Sequence, residues 1–112
     1  MNETPLHTLA ELADLAEKQT YVLRLYVTGM TPRSTRAISA VRAICEEFLA
    51  GRFDLEIIDV YQQPSRIRDE QILATPTLVK KGPEPERRMI GDMSNRARVM
   101  AGLGLHEEAV TP

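Results

Sequence analysis

The sequence predicts a small α/β domain in which an N-terminal helix precedes a βαβ unit and an αββα unit. Three observations carry this prediction. An apolar strand pattern, YVLRLYV, precedes a long helical stripe that begins at Pro32. A second strand pattern, FDLEIIDV, follows that stripe, and two shorter apolar runs, TPTLVKK and RRMIG, flank a proline-rich turn. Two strands joined through so long a helix should be parallel, with a right-handed connection.

The composition limits what such a domain can do. The chain has 112 residues, 43% of them hydrophobic, and a net charge of −2. This length suits one domain with a modest core, and the balanced charge argues against a general nucleic-acid binder. A single cysteine excludes an internal disulfide, and no secretion signal or membrane-spanning apolar run is present. We therefore expect a soluble, cytoplasmic protein that binds neither nucleic acid nor membrane.

Residues 1–20 are predicted to form an amphipathic helical extension. In TPLHTLAELADLAE, Thr4 is a candidate N-cap and Pro5 a candidate first helical residue. Apolar residues recur at helical spacing at Leu6, Leu9, Ala13 and Ala16. Such a helix could dock on the domain or on a second chain, or it could be a loosely held extension. The main domain is expected over residues 21–105, followed by a tail over residues 106–112.

The βαβ unit is read from two strand patterns and one helical stripe. Residues 21–27 alternate with one fully apolar face, and Gly29 ends the strand. Thr31 and Pro32 predict the N-cap and first residue of the helix, whose apolar stripe extends to Gly51 as a predicted C-cap. The second strand becomes apolar on both sides towards Val60, which suggests an interior, parallel strand.

The second half of the chain predicts a short helix, a hairpin and a final helix. The helix after Pro64 has few apolar residues, so much of its surface should face solvent or a partner. TPTLVKK and RRMIG should pair as antiparallel strands across GPEPE. The last helix is predicted from Ser94 as N-cap through Leu105, and its buried residues should be Val99, Met100 and Leu103.

This order, with a Thr-Pro before the third strand, is similar to the thioredoxin-like fold. That fold has a cis proline at the start of the strand, and Pro76 is the candidate here, with a trans proline as the competing interpretation. Thioredoxin-like oxidoreductases hold a C-x-x-C pair after the first strand, where this chain has Thr31-Pro32-Arg33-Ser34. Without those thiols the chain cannot exchange disulfides. Cys45 falls in the helical stripe and should be buried and inert.

No other catalytic, cofactor or metal site is predicted. His7 and His106 are at opposite ends of the chain, and the motifs H-E-x-x-H, G-x-S-x-G and G-x-x-x-x-G-K-[ST] are absent. Asp54, Glu56 and Asp59 alternate along the second strand and are expected to form a solvated face. The sequence therefore predicts a binding domain and not an enzyme.

Three segments resemble the KaiB family of prokaryotic clock proteins: YVLRLYVTGMTPRSTRAI, IIDVYQQP and ILATPTLVKKGPEPERRMIGDMSNRARVMAGLGL. The resemblance implies a non-catalytic regulator that binds the hexameric KaiC ATPase in a thioredoxin-like state and modulates its phosphorylation and ATPase cycle. KaiA or a SasA-like kinase are further implied partners. The family is metamorphic, so a different resting fold and a homo-oligomer, dimer or tetramer, are expected in the free state. The alternative is a stress-response or signalling adaptor for a partner other than KaiC.

The resemblance also implies roles for individual residues. The positions tied to the fold switch are Tyr21, Pro76, Gly102 and Gly104, the last standing where the family has an aspartate. The positions at partner surfaces are Arg36, Gln71, Arg87 and Arg88. Arginine suits such contacts because its planar group pairs carboxylates bidentately, although ordinary surface charge is the simpler interpretation. Gln71 and Glu56 stand where family members commonly carry basic residues, which argues against a KaiA-facing surface.

Overall fold

The computed structural model describes residues 8–9 and 19–105. From residue 19 onward the chain forms four strands and three helices in the order β1 (Tyr21–Val27), α1 (Pro32–Phe48), β2 (Phe53–Asp59), α2 (Pro64–Glu70), β3 (Thr77–Gly82), β4 (Arg87–Ile90) and α3 (Arg96–Leu103). The predicted βαβ-αββα order is therefore confirmed. The predicted N-terminal helix, apart from Thr8 and Leu9, and both histidines lie outside the described residues.

The four strands form one sheet in the order β2-β1-β3-β4. β1 is parallel to β2, and β3 is antiparallel to both of its neighbours. The prediction that β2 is an interior strand was wrong, since it lies at the edge of the sheet. The end of this segment is apolar on both faces of the sheet because Ile58 and Val60 are buried beneath α2.

The sheet separates the hydrophobic core into two clusters, one on each face. α1 and α3 cover one sheet face, and the core there includes Leu23, Leu25, Val41, Ile44, Cys45, Leu49, Leu78, Val99, Met100 and Leu103. On the other face, a smaller cluster contains Tyr26, Ile58, Val60, Ile72 and Val79, with Ile67 of α2 packed against it. α2 itself has no buried residue. Within the described ranges no helix has the length and apolar character needed to cross a membrane.

The start of α1 was predicted correctly and its end was not. Thr31 is the N-cap, its side chain accepting a hydrogen bond from the Ser34 N–H at 3.1 Å, and Pro32 is the first helical residue. The helix ends at Phe48 with Leu49 as C-cap. Gly51 instead lies in the following turn, where its φ of +74° requires the left-handed conformation that glycine adopts easily.

The limits of α3 also differ from the prediction. Asn95, not Ser94, is the N-cap, because its side-chain oxygen accepts the Arg98 N–H at 3.0 Å. The Ser94 N–H is bound to Asp92 Oδ1 at 2.8 Å. The helix ends at Leu103 instead of Leu105, since Gly104 takes the left-handed C-cap conformation with φ of +77°. The predicted burial of Val99, Met100 and Leu103 is confirmed.

Candidate partner-binding surface

The turn after β1 is held together by hydrogen bonds of Ser34. The buried Ser34 hydroxyl donates to the Thr28 carbonyl at 3.2 Å and accepts from the Thr28 N–H at 3.2 Å. It also accepts from the Thr31 hydroxyl at 2.9 Å. The two positions of the missing thiols, 31 and 34, therefore bond to each other and to the backbone of the turn. The hydroxyl of Ser34 serves structure here and is not presented to a substrate.

Neighbouring loops are tied to the same turn. Asp59 Oδ1, at the end of β2, accepts the N–H groups of Gly29 at 3.2 Å and Tyr61 at 2.9 Å. The hydroxyls of Thr28 and Thr75 share a hydrogen bond, and the Thr75–Pro76 peptide is cis, as the thioredoxin-like arrangement predicts. The three loops at this end of the sheet consequently form one connected surface. Of the three β2 carboxylates, Asp54 and Glu56 are exposed as expected, while Asp59 is half-buried in this network.

Exposed apolar side chains gather in these three loops. Leu73 is 91% exposed, Met30 83% and Tyr61 76%. Because hydrogen bonds join the three loops, these exposed side chains are candidates for contact with a partner. We call the set Met30, Tyr61 and Leu73 the apolar rim. The sequence alone did not single out Leu73, because neither a helical nor a strand period places its side chain.

A shallow groove runs beside Leu73. It has a volume of about 660 Å³ and is lined by Ile67, Arg68, Gln71, Ile72 and Leu73. A second hollow of about 280 Å³ shares Ile67, Ile72 and Leu73 and extends to Thr28, Val60, Ala74 and Thr75. The groove therefore joins the outer end of α2 to the connected loops.

Gln71 and Arg88, 17 residues apart in sequence, meet at the end of α2. Gln71 is the C-cap of α2, with a left-handed φ of +56°. Arg88 of β4 donates to the carbonyl of Glu70 at 2.6 Å and to that of Gln71 at 3.2 Å. These carbonyls have no partner within the helix, so the guanidinium both satisfies them and matches the negative end of the helix dipole. Arg88 thereby positions the loop that presents Gln71 and Leu73.

Charged contacts hold α2 against the sheet. The Arg66 guanidinium donates to both oxygens of Glu56, at 3.1 and 3.0 Å. These hydrogen bonds, with the positive charge of Arg66, hold the pKa of Glu56 below its ordinary value. Lys81 donates to Glu70 at 2.9 Å, and this hydrogen bond raises the pKa of Lys81. No residue of α2 is fully buried, so these ion pairs and the Arg88 contact add to the packing of Ile67 in holding the helix against the sheet.

The other two predicted partner residues lie elsewhere. Arg36 is exposed on α1, on the opposite side of the sheet from α2. Arg87 neighbours Arg88 on β4 but faces the opposite way, and it is paired in register with Lys80. The four residues therefore do not form one site. Only Gln71 and Arg88 come together.

The four predicted fold-switch residues are also dispersed. Tyr21 is buried at the start of β1, with Lys80 Nζ 5.8 Å from the centre of its ring, and burial raises the pKa of its hydroxyl. Pro76 lies at the opposite end of the sheet, where its carbonyl accepts the Gly91 N–H at 2.9 Å. Gly102 packs against Met89, and Gly104 ends α3.

Neither a thiol nor a metal centre adds to this surface. Cys45 is buried in the larger core, and burial, with a smaller effect of Glu46, raises its pKa to about 11. A thiol in that state is protonated near neutral pH and poorly reactive. Among residues 8–9 and 19–105, no group of three or more His, Cys, Asp or Glu side chains could hold a metal ion.

Sequence comparison identifies close relatives of this chain. A family model described as KaiB domain matches residues 24–105. The circadian clock oscillator protein KaiB of Prochlorococcus marinus (strain MIT 9312) is 46% identical over 97 residues, which cover 87% of this chain and 92% of the relative. The circadian clock protein KaiB3 of Synechocystis sp. is 48% identical over 89 residues, covering 80% of this chain and 87% of the relative.

Structural comparison supports the fold independently. The N-terminal domain of Synechococcus elongatus SasA superposes with a TM-score of 0.63 at 23% identity, covering 98% of this chain and 99% of that domain. Thioredoxin of Fasciola hepatica superposes with a TM-score of 0.64 at 19% identity, covering 88% of this chain and 93% of that protein. At these identities the likeness shows the thioredoxin-like fold alone.

Proposed function

Because the chain belongs to the KaiB family of circadian clock proteins, we propose that it regulates a clock by binding a KaiC-type hexameric ATPase through the apolar rim and the groove beside it. Binding in this thioredoxin-like state modulates the phosphorylation and ATP hydrolysis of the ATPase. The chain itself catalyses nothing, in keeping with the loss of both thiols at positions 31 and 34.

The observation that carries this proposal is the presentation of Leu73. Its side chain is 91% exposed, yet its loop is attached to the fold through the Gln71 cap and the two hydrogen bonds of Arg88. An exposed leucine on a positioned loop loses little conformational freedom when a partner covers it. Leu73 therefore has the properties of a central binding residue, with Gln71 and Arg68 as polar groups at its border.

Arg36 and Arg87 are assigned outer contacts in this proposal. Both are exposed, and arginine at the border of an interface favours association with an acidic surface and sets orientation more than affinity. A SasA-like kinase, whose N-terminal domain shares this fold, would compete for the same surface of the ATPase. KaiA is a further partner that the family implies, and no feature of the surface described above supports it.

The fold switch belongs to the same proposal. The thioredoxin-like state is the partner-binding state, and Tyr21, Pro76, Gly102 and Gly104 are the positions that set its free energy relative to a second fold. The two glycines support this assignment, since they place flexible residues at the end of α3. Glycine weakens a helix by about 1 kcal/mol relative to alanine.

The test is complex formation with the KaiC-type ATPase of the same organism, in ATP and in ADP, with ATP hydrolysis recorded alongside complex mass. The wild-type chain should form a nucleotide-dependent complex and change the rate of hydrolysis. Leu73→Glu should weaken binding at least tenfold, about 1.4 kcal/mol. The matched control is Ala50→Glu, which adds the same charge to the exposed turn between α1 and β2 and should bind normally. No wild-type complex in either nucleotide would refute the proposal and favour an adaptor for another partner.

A further inference from the structure

Lys80 carries an ammonium group that no carboxylate neutralises. The residue is only 4% exposed, and its side chain lies on the sheet face that α1 and α3 cover. Within residues 8–9 and 19–105 the ammonium makes no ion pair or hydrogen bond, and its described contact is the Tyr21 ring, with Nζ 5.8 Å from the ring centre. Lys81, on the other face, is paired with Glu70 and Glu86. Lys80 therefore lacks the counter-ions that its sequence neighbour has.

The Lys80 ammonium is nevertheless open to a ligand. In the part of the chain that the structure describes, the Tyr26 hydroxyl is the only side-chain polar atom that is both buried and without a hydrogen-bond partner. Since Lys80 Nζ also lacks such a partner, it must reach the surface. Lysine often buries its aliphatic stem and keeps its charged end in water. A small anion can therefore contact the ammonium without any change in the fold.

Further positive charge lies on both sides of Lys80. Arg87 is its direct partner on β4, so the two side chains point to the same face of the sheet. Arg87 is exposed, and after burial its charge is the second cause of the lowered pKa of Lys80. On the β1 side, the Arg52 carbonyl accepts the Tyr21 N–H at 2.8 Å. Burial raises the pKa of the Tyr21 hydroxyl, and the Arg52 charge opposes this effect. Three cations and one hydroxyl therefore lie at this end of the sheet.

A doubly charged anion would compensate for this arrangement. Like charges directly opposite each other destabilise a sheet, and a buried cation costs free energy unless it is paired. Arg87 makes no ion pair in the ranges 8–9 and 19–105, so neither it nor Lys80 has a counter-ion there. A phosphate group carries close to two negative charges near neutral pH. Its oxygens match the fork of an arginine and accept hydrogen bonds from a lysine.

We propose that Lys80, Arg87 and Tyr21 form a binding site for a phosphate group, either inorganic phosphate or the phosphate of a small metabolite. The ammonium and the guanidinium donate to phosphate oxygens, the Tyr21 hydroxyl is a third donor, and the Arg52 charge adds to the attraction. Because these residues lie on β1, β3 and β4, the bound phosphate stabilises this arrangement of the strands by mass action. The site is at the opposite end of the sheet from the apolar rim, and it shares only Arg87 with the proposed ATPase contacts.

The test follows the backbone amide signals of the full-length protein by NMR while sodium phosphate replaces sodium chloride at constant ionic strength and pH. The signals of Tyr21, Lys80 and Arg87 should shift and saturate. Lys80→Met and Arg87→Gln should each weaken binding at least roughly tenfold, because each removes a charged donor to the phosphate. The matched control is Arg42→Gln, which removes the same charge from an exposed position in α1 and should bind phosphate as wild type does.

Two further titrations identify the ligand class and its source. Acetate has a single charge and should bind more weakly than phosphate, so equal binding of the two would overturn the assignment to phosphate. Glycerol phosphate separates the two sources that the proposal allows. Tighter binding than that of inorganic phosphate would support a phosphorylated metabolite as the ligand, and weaker binding would support free phosphate.

Three outcomes of the phosphate titration would overturn the inference. They are signals that do not saturate, shifts of equal size around exposed arginines throughout the domain, and binding that neither Lys80→Met nor Arg87→Gln weakens. The titration uses this chain alone, so its result is separate from the proposed function. A chain that binds phosphate here but forms no complex with the ATPase keeps the site and loses the proposed function.

Discussion

The sulfur atom of Met89 lies so close to Gly102 that a Cβ atom added at Gly102 would come within 2.2 Å of it. Met89 is buried on β4, and Gly102 is in the middle of the last turn of α3. The helix therefore approaches the strand closely because residue 102 has no side chain. This contact explains a glycine inside a helix, where it costs about 1 kcal/mol relative to alanine.

Gly102→Ala should destabilise this fold by about 1 kcal/mol. Overpacking against Met89 costs roughly 1–3 kcal/mol, and the gain in helix propensity offsets about 1 kcal/mol of it. In a Met89→Val background, which removes the sulfur, the same substitution should be neutral or stabilising. Urea denaturation of wild type, the two single variants and the double variant gives the coupling free energy between residues 89 and 102. We expect this coupling to exceed about 0.5 kcal/mol. Equal effects in both backgrounds would show that Met89 simply moves aside.

Gly104→Ala should destabilise the fold by about 1 kcal/mol, because a Cβ atom disfavours the left-handed conformation. Gly104 has φ of +77° and open space around it, so the effect comes from the backbone and not from a clash. Gly82→Ala is the control, since Gly82 also has open space and is not in that conformation. In thermal unfolding, the melting temperature should fall more for Gly104→Ala than for Gly82→Ala. A fall of similar size in both variants would contradict the conformational explanation.

Ser34→Ala should destabilise the turn after β1. The substitution leaves the Thr28 N–H without its acceptor, and a half-buried donor without a partner costs roughly 1–3 kcal/mol. Ser39→Ala, an exposed serine on the same helix, should change stability by less than about 0.5 kcal/mol. Chemical denaturation measures both. If the two alanine variants were equally stable, the network around Ser34 would contribute nothing.

Lys80→Met should stabilise the fold near neutral pH. Lys80 is 4% exposed, and burial, with a smaller effect of the Arg87 charge, lowers its pKa. The folded state therefore releases this proton at lower pH than the unfolded state. The contribution of Lys80 to stability improves as pH rises from the lowered pKa towards the ordinary value near 10.4.

The measurement is the free energy of unfolding of wild type and Lys80→Met between pH 7 and pH 10. The advantage of the variant should be largest at pH 7 and should shrink as pH rises. Tyr21, whose pKa is raised by burial, has Lys80 Nζ 5.8 Å from the centre of its ring, so Tyr21→Phe is introduced into both proteins to remove its titration from the difference. An advantage that stays constant with pH would show that packing, and not the charge, explains the gain.

Local sequence patterns explain several elements of this fold and one wrong boundary. The strands, the Thr31 cap and the burial of Val99 follow from the period of apolar residues and from capping chemistry, both of which act over a few residues. The end of α1 was misplaced because Leu49 is buried although it is no longer helical. A continuing apolar stripe therefore extended the predicted helix past its actual end.

The candidate site is formed by contacts between residues that are distant in sequence. Gln71 and Arg88 were both singled out, but their meeting requires β3 and β4 to return beside α2. The exposure of Leu73 could not be predicted, since most leucines at such a position would be buried. What pointed to it was a helix with too few apolar residues to be covered.

The sequence by itself determined the order of the elements, the absence of the two thiols and membership of the family, because each of these depends only on residue types and their spacing. The tertiary structure decided that β2 is an edge strand, that Met89 contacts Gly102, and that Leu73 stands on a surface with Gln71 and Arg88. These features depend on which sheet edges and helix ends come together when the chain closes on itself. Such contacts join residues that no local period relates.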